Sequence, residues 1–351
     1  MSVLPVRPLV RIALTLALGF AAAGLCLLLN TPLPWMIGPW LVTAVGCMAG
    51  APLVAATPLR NAGQWAIGTA LGLYFTPQVV GVVLGHWAAI VAGIVWALAL
   101  GTGFGLFLKW ANPGNAALDR PTTFFASAIG GASEMALLAE RFGGRLELVA
   151  SAHSLRILLV VLIVPFGFQF ADLHGLDPTL PGPQTVDWGG LLLLAALTVA
   201  GGALAERLDV ANPWVLGPLA VAFALTSSNI ELSALPRWVV NLGQLFIGVA
   251  LGARFTPAFV HSAPRWLITV AIGTLAMIVL SAAFAYVVAQ LSGLHPATLL
   301  LGTSPGGIAE MCITAKVLQL GVPVVTAFHV TRMAAVVMLA GPLFRRATGA
   351  H

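Results

Sequence analysis

Residues 61–77 read NAGQWAIGTALGLYFTP, and 180 positions later the chain reads NLGQLFIGVALGARFTP (241–257). Three shorter matches keep the same order. PWMIGP (34–39) returns as PWVLGP (213–218), GGASEM (130–135) as GGIAEM (306–311), and HSLR (153–156) as HVTR (329–332), at offsets of 179, 176 and 176. Four ordered matches at near-constant spacing mark a tandem duplication. The chain therefore divides into a first repeat (1–172), an acidic linker (173–187), a second repeat (188–346) and a short tail (347–351). Arg7 and Arg11 before an apolar run to Leu29 resemble a secretory signal. That run, however, has its copy at 191–209, so it is expected to stay as an ordinary first helix.

Each repeat holds six apolar segments. They lie near 9–29, 34–50, 61–76, 83–110, 121–139 and 146–170, then near 188–206, 213–229, 238–253, 266–291, 296–317 and 322–344. Only 8% of the residues are charged and 59% are hydrophobic, against about 25% charged in soluble domains. Segments near the ~20 residues of a bilayer crossing exclude a β-barrel, whose strands run about 10 alternating residues. The expectation is an all-α integral membrane protein. In that class a net charge of +5 reports orientation, so no direct nucleic-acid partner is expected. Cys26, Cys47 and Cys312 lie in apolar segments without metal-type spacing, and no cofactor is expected.

The basic residues choose between two topologies. If all twelve segments cross, positive charge spreads over both sides. If the fifth segment of each repeat enters and leaves on one side, each repeat crosses five times and the repeats are inverted. Arg7, Arg11, Arg60, Lys109, Arg120, Arg141, Arg145, Arg207, Arg254, Arg265, Arg345 and Arg346 then collect inside, leaving only Arg237 outside. That is the positive-inside pattern. It places both termini and the loop 254–265 in the cytoplasm and the linker outside.

The fifth segments are also the odd ones. SPGGIAEM (304–311) and IGGASEM (129–135) put Gly pairs, one proline and a carboxylate inside apolar sequence. Gly and Pro interrupt a helix, and non-helical backbone at depth needs protein or water to cover it. Each segment is expected to be a broken or re-entrant helix carrying a Gly-Gly tip. Inverted repeats with interrupted helices are a carrier signature, with half-helix N-termini aimed at the solute. The glycines would admit close approach and unusual φ/ψ.

The candidate substrate- or ion-binding residues follow from that placement. Pro305, Gly306 and Gly307, with Gly130 and Gly131, would form the tips. Glu310 and Glu134, in matching first turns, either neutralise a helix end or couple a proton or cation. His329 with Arg332, and His153 with Arg156, share helix faces at i,i+3. Each Arg either pairs with the nearby Glu or binds an anion, and each His is either a buried neutral ring or a proton relay. Asn61, Gln64, Asn241 and Gln244, in the duplicated NxGQ, either glue helices or touch solute. Gly38-Pro39 and Gly217-Pro218 are expected to break or kink the second helix of each repeat. Gly68, Gly72, Gly248 and Gly252 read as a close-packing stripe.

On SPGGIAEM, GGASEM and the duplicated NxGQxxIGxALGxxFTP, the chain resembles the membrane AbrB-duplication family. The likeness covers essentially the whole length, although Ile129 stands where the motif has proline. Family labels imply regulation of gene expression or an ammonia monooxygenase. The chain has no hydrophilic DNA-binding domain, and its seven histidines show no ligand pair at helical spacing. It is not expected to be an enzyme. The organisation also looks like inverted-repeat carriers for sodium, protons and bile acids, an analogy of fold alone. The leading expectation is a secondary transporter in the inner membrane, carrying a small solute with H+ or Na+ as coupling ion. Arg156, Arg332 and Lys316 outweigh Glu134 and Glu310, which favours an anion. A membrane regulator acting indirectly is the alternative. The bilayer and a second copy in a homodimer are the other expected partners.

Overall fold

A computed structural model describes residues 8–113, 118–173, 175, 185–257 and 264–348. Among these residues every regular element is a helix. In the first half they are α1 (Pro8–Leu28), α2 (Pro34–Met48), α3 (Thr57–Gly72), α4 (Pro77–Gly85), α5 (Trp87–Ala111), α6 (Arg120–Ser127), α7 (Ala132–Arg141) and α8 (Leu146–Phe170). The second half supplies α9 (Trp188–Arg207), α10 (Pro213–Ser227), α11 (Arg237–Gly252), α12 (Pro264–Ser292), α13 (Pro296–Thr303), α14 (Ile308–Val317) and α15 (Val322–Thr348). Six of them, α1, α5, α8, α9, α12 and α15, are long and apolar enough to cross a bilayer. The number rises to seven if α3 and α4 form one broken span. The chain is a multi-pass membrane protein. Its exposed surface includes Leu9, Leu28, Leu192 and Leu291, as a lipid-facing surface requires.

Local chemistry sets the ends. Pro at the first or second position starts α2, α3, α6, α10 and α13, where no N–H is needed. Asp119 caps α6 by accepting from the Thr122 N–H, and Asp187 caps α9 through the Gly190 N–H. The segment expected at 83–110 starts later than anticipated. His86 separates α4 from α5, with its Nδ1 turned back 2.7 Å to the Val82 carbonyl. Much of the linker, 174 and 176–184, and most of the loop 254–265, from 258 to 263, fall outside the described residues.

The two repeats are not the two compact units. One unit comprises Met1–Val79 and Leu180–Ser262, the other Val80–Thr179 and Ala263–His351. Each repeat contributes its opening helices to the first unit and its closing helices to the second.

The first unit packs α2 on α11 and α3 on α10, with α1 against α2 and α9 against α10. The glycine stripe sits at those crossings. A Cβ on Gly248 would lie 2.5 Å from the Met36 carbonyl oxygen, and one on Gly252 2.6 Å from that of Trp40. Gly68 faces the backbone of Val215, and Gly72 that of Leu219, in the same way. Helices in a bilayer gain association from such close backbone approach, because lipid is as apolar as their side chains. The Gly-Pro pairs do not break their helices, since α2 and α10 run through Pro39 and Pro218. Their glycines are contact points instead. Gly38 meets the backbone of Ala22 on α1, and Gly217 meets that of Gly201 on α9. The missing N–H of each proline costs one ladder bond near the helix start, where few bonds precede it.

The second unit surrounds α6, α7, α13 and α14 with α5, α8, α12 and α15. Phe104, Phe125, Met135, Trp266 and Phe344 form its main core. Phe124, Phe125, Phe142 and Phe344 join as a ring cluster with centroids 5.0–5.7 Å apart.

Gly248→Val should therefore lower the unfolding midpoint and folded yield of purified protein, because backbone blocks its Cβ. Gly24→Ala, which meets nothing within 4 Å, should leave both unchanged or slightly improved, since Ala favours helix by about 0.5–1 kcal/mol. Equal effects of the two changes would contradict the packing assignment.

Candidate functional site

Both fifth segments consist of two short helices around a four-residue gap, 128–131 between α6 and α7 and 304–307 between α13 and α14. In each, the chain leaves beside the point where it entered. The Arg145 N–H donates to Thr122 Oγ1 at 2.8 Å, linking the residue just before α8 to the start of α6. The Gly321 N–H donates to Thr298 Oγ1 at 3.2 Å, linking the residue just before α15 to the start of α13. The two bonds lie 176 residues apart in sequence. These threonines were not singled out from the sequence, although their matched positions were the available signal.

Interrupting a helix strips partners from the last carbonyls before the gap. Away from water, each must find another donor. His153 Nε2 supplies the Phe125 carbonyl at 2.9 Å, and Arg156 Nη1 that of Ala128 at 3.2 Å. On the second copy, His329 Nε2 supplies Leu301 at 2.8 Å. Arg332 Nη1 reaches the Ser304 carbonyl at 2.6 Å and its Nη2 that of Gly306 at 2.8 Å. Each arginine also donates from Nη2 to its histidine's Nδ1 at 2.9 Å. Because a carbonyl only accepts and a guanidinium only donates, both rings are the neutral Nε2–H tautomer. Their two nitrogens are fully used, which favours the buried-neutral reading over the proton relay.

The four side chains are buried, with Arg156 and Arg332 at 2% and 5% exposure. Each arginine places its positive charge at the negative end of a half-helix. The carboxylates stand at the other side of each gap. Glu134 lies in the first turn of α7 and Glu310 in that of α14, where a helix N-terminus favours negative charge. Glu310 is buried while Glu134 is half-buried, so the copies differ. The hydrogen bonds of Arg332 run to the Ser304 and Gly306 carbonyls and to His329 Nδ1. The Nε of each arginine lacks a hydrogen-bond partner among the described residues.

The glycines act by approach rather than by unusual dihedrals. Among the described glycines only Gly50, Gly143 and Gly293 have positive φ. Gly307 is extended at φ −84°, ψ 159°, a conformation open to any residue. A Cβ there would instead collide with the Glu310 carboxylate, and one on Gly306 would lie 2.8 Å from Met311 Cγ. Gly130 is packed by Met135 and Val336, and Gly131 is the N-cap of α7.

Asn61, Gln64, Asn241 and Gln244 belong to the first unit, on α3 and α11, apart from the Glu, His and Arg residues of the second. The glycines of the two NxGQ copies mark a crossing, since a Cβ on Gly63 would lie 2.7 Å from the Gly243 carbonyl. Asn61 accepts from Arg60 at 3.3 Å, and Gln244 is buried. Among the described residues no three His, Cys, Asp or Glu side chains gather as metal ligands.

Replacing either arginine by lysine keeps the charge but loses the fork that reaches two or three acceptors at once. Arg332→Lys and Arg156→Lys should each lower stability by about 1–3 kcal/mol, the cost of buried carbonyls left unpaired. Thermal unfolding in detergent checks this; wild-type midpoints for both would remove the clamp from the account.

Comparison with known proteins covers the same span. The AbrB family profile, described as "Transition state regulatory protein AbrB", matches residues 6–348. "Uncharacterized protein YhjN" of Bacillus subtilis (strain 168) is 26% identical over 352 residues, covering 93% of this chain and 90% of the relative. "Putative regulator AbrB" of Escherichia coli (strain K12) is 24% identical over 354 residues, covering 99% and 97%. Matched over nearly its whole length, the chain belongs to the AbrB family.

Proposed function

We propose that this membrane protein is a secondary carrier of a small anionic solute, built from two inverted repeats whose fifth segments are re-entrant hairpins. One observation carries the reading: the same interrupted segment, tied end to end by a threonine and propped by an Arg–His pair, occurs twice at the same spacing. Irregular backbone inside a membrane protein is expensive, and carriers are where it is used in pairs. Two buried arginines, one beside each gap, favour an anion over a cation. Glu310, buried one turn from the tip, is the group for coupling to H+ or Na+. The bias of basic residues toward one set of loops supports the reading of an inner-membrane protein with both termini cytoplasmic.

A second reading has support in the name of the Escherichia coli relative, a regulator. On that reading the protein alters expression indirectly, by sensing the solute or setting its concentration across the membrane.

Sealed proteoliposomes test transport. A panel of small anions should include one that gives uptake under an imposed proton or sodium gradient. Gly306→Val should abolish that uptake with the protein still inserted, and Glu310→Gln should remove its dependence on the driving ion. Uptake unchanged in both variants would place the pathway elsewhere. Topology is checked separately. Cysteines at Ala51 and Ser228 should label from opposite sides if the repeats are inverted, and from the same side if all twelve segments cross.

A further inference from the structure

One cavity in the second unit takes no part in the clamp. It measures about 520 Å3 and lies between α5, α6 and α15, within the roughly 300–1,000 Å3 of small-molecule sites. Its two ends differ. At one end are Lys109, in the last turn of α5, and Arg120, the first residue of α6. At the other are Ala97, Ile129 and Val336, beside the gap between α6 and α7. The helix pairing fixes this gradient, because Gly101 and Gly105 of α5 pack on Ser127 at the far end of α6.

Among the described residues no carboxylate lines the space. Asp119, next to Arg120, accepts the Thr122 N–H at 2.7 Å and serves as the cap of α6. The hydroxyls in the wall are also committed. Thr102 donates to the Leu98 carbonyl at 2.8 Å, Thr123 to that of Asp119 at 3.0 Å, and Ser127 to that of Phe124 at 2.8 Å. The wall thus offers little to a sugar or other polar body. It offers apolar contact along its length and two cations at one end, unpaired among the described residues.

We propose that this cavity binds a single-chain amphipathic anion, its acidic head at Lys109 and Arg120 and its apolar body running toward the 128–131 gap. We further propose that such anions are the substrate class of the carrier. The substrate assignment rests on the carrier reading; the binding does not. The volume suits one chain and not the two chains of a membrane phospholipid.

Decanesulfonate is the probe, since its charge is permanent and it does not cross bilayers as a neutral acid. Full-length protein in phosphatidylcholine nanodiscs should bind labelled decanesulfonate saturably, with decanol and decyltrimethylammonium failing to compete. Lys109→Gln with Arg120→Gln should weaken binding at least about tenfold, the scale of charge-assisted contacts. Thr102→Trp, which fills the cavity from its exposed side, should do the same with the unfolding midpoint unchanged. Absence of saturable binding, or wild-type affinity in both variants, would overturn the site. So would loss of probe binding when phosphatidylglycerol is added to the nanodiscs, which would make a bilayer lipid the occupant. Gly306→Val, outside the lining, should bind the probe normally and fail to transport it. Binding by wild-type protein without uptake in proteoliposomes would leave the cavity standing and remove the substrate assignment, while the anion panel decides the carrier reading.

Discussion

The interrupted helices depend on one constraint, that a carbonyl cut off from its helix and from water must find a donor inside the protein. An unpaired buried group costs about 1–3 kcal/mol, and each gap exposes several. His153 with Arg156, and His329 with Arg332, meet that cost from a neighbouring helix. The arginine contributes twice, as donor and as countercharge to the helix dipole. The same reasoning accounts for Glu134 and Glu310, which sit where the next half-helix presents its positive end. A broken helix has two inner ends of opposite sign, and each repeat places one residue of the right charge at each.

Glu310 and Arg332 stand at opposite ends of one gap, and Arg332 bonds two backbone carbonyls and His329. Both histidines are held neutral by bonds at both nitrogens. The second copy is the more enclosed, with Pro305, Gly306 and Glu310 buried and Arg332 holding two carbonyls where Arg156 holds one. The first copy borders the apolar cavity with its cationic end. Duplicated elements have thus been given unequal surroundings.

Packing between helices rests on a simpler device. With no hydrophobic gain available between helices in lipid, contact area comes from backbone approach, and glycine provides it at Gly63, Gly68, Gly248 and Gly252. Gly38 and Gly217, each followed by proline, do the same for the first two helices of each repeat. The contacts of Gly63, Gly68, Gly248 and Gly252 link helices of one repeat to those of the other, so neither repeat could complete the first unit alone.

By itself the sequence determined the membrane class, the duplication, the interruptions and the identity of the charged residues beside them. Those features are written in local composition and spacing: apolar runs of bilayer length, Gly and Pro within them, and matched motifs at offsets of 176–180. What only the tertiary structure decided was partnership. The Arg–His clamp on carbonyls 28 and 26 residues away and the threonine ties at the hairpin bases join groups distant in sequence, where spacing says nothing of reach. The exchange of helices between the repeats, and the cavity whose walls come from α5, α6 and α15, are likewise invisible to periodicity. Helical pattern fixes which face is apolar; which neighbour covers that face is settled by packing of the whole chain.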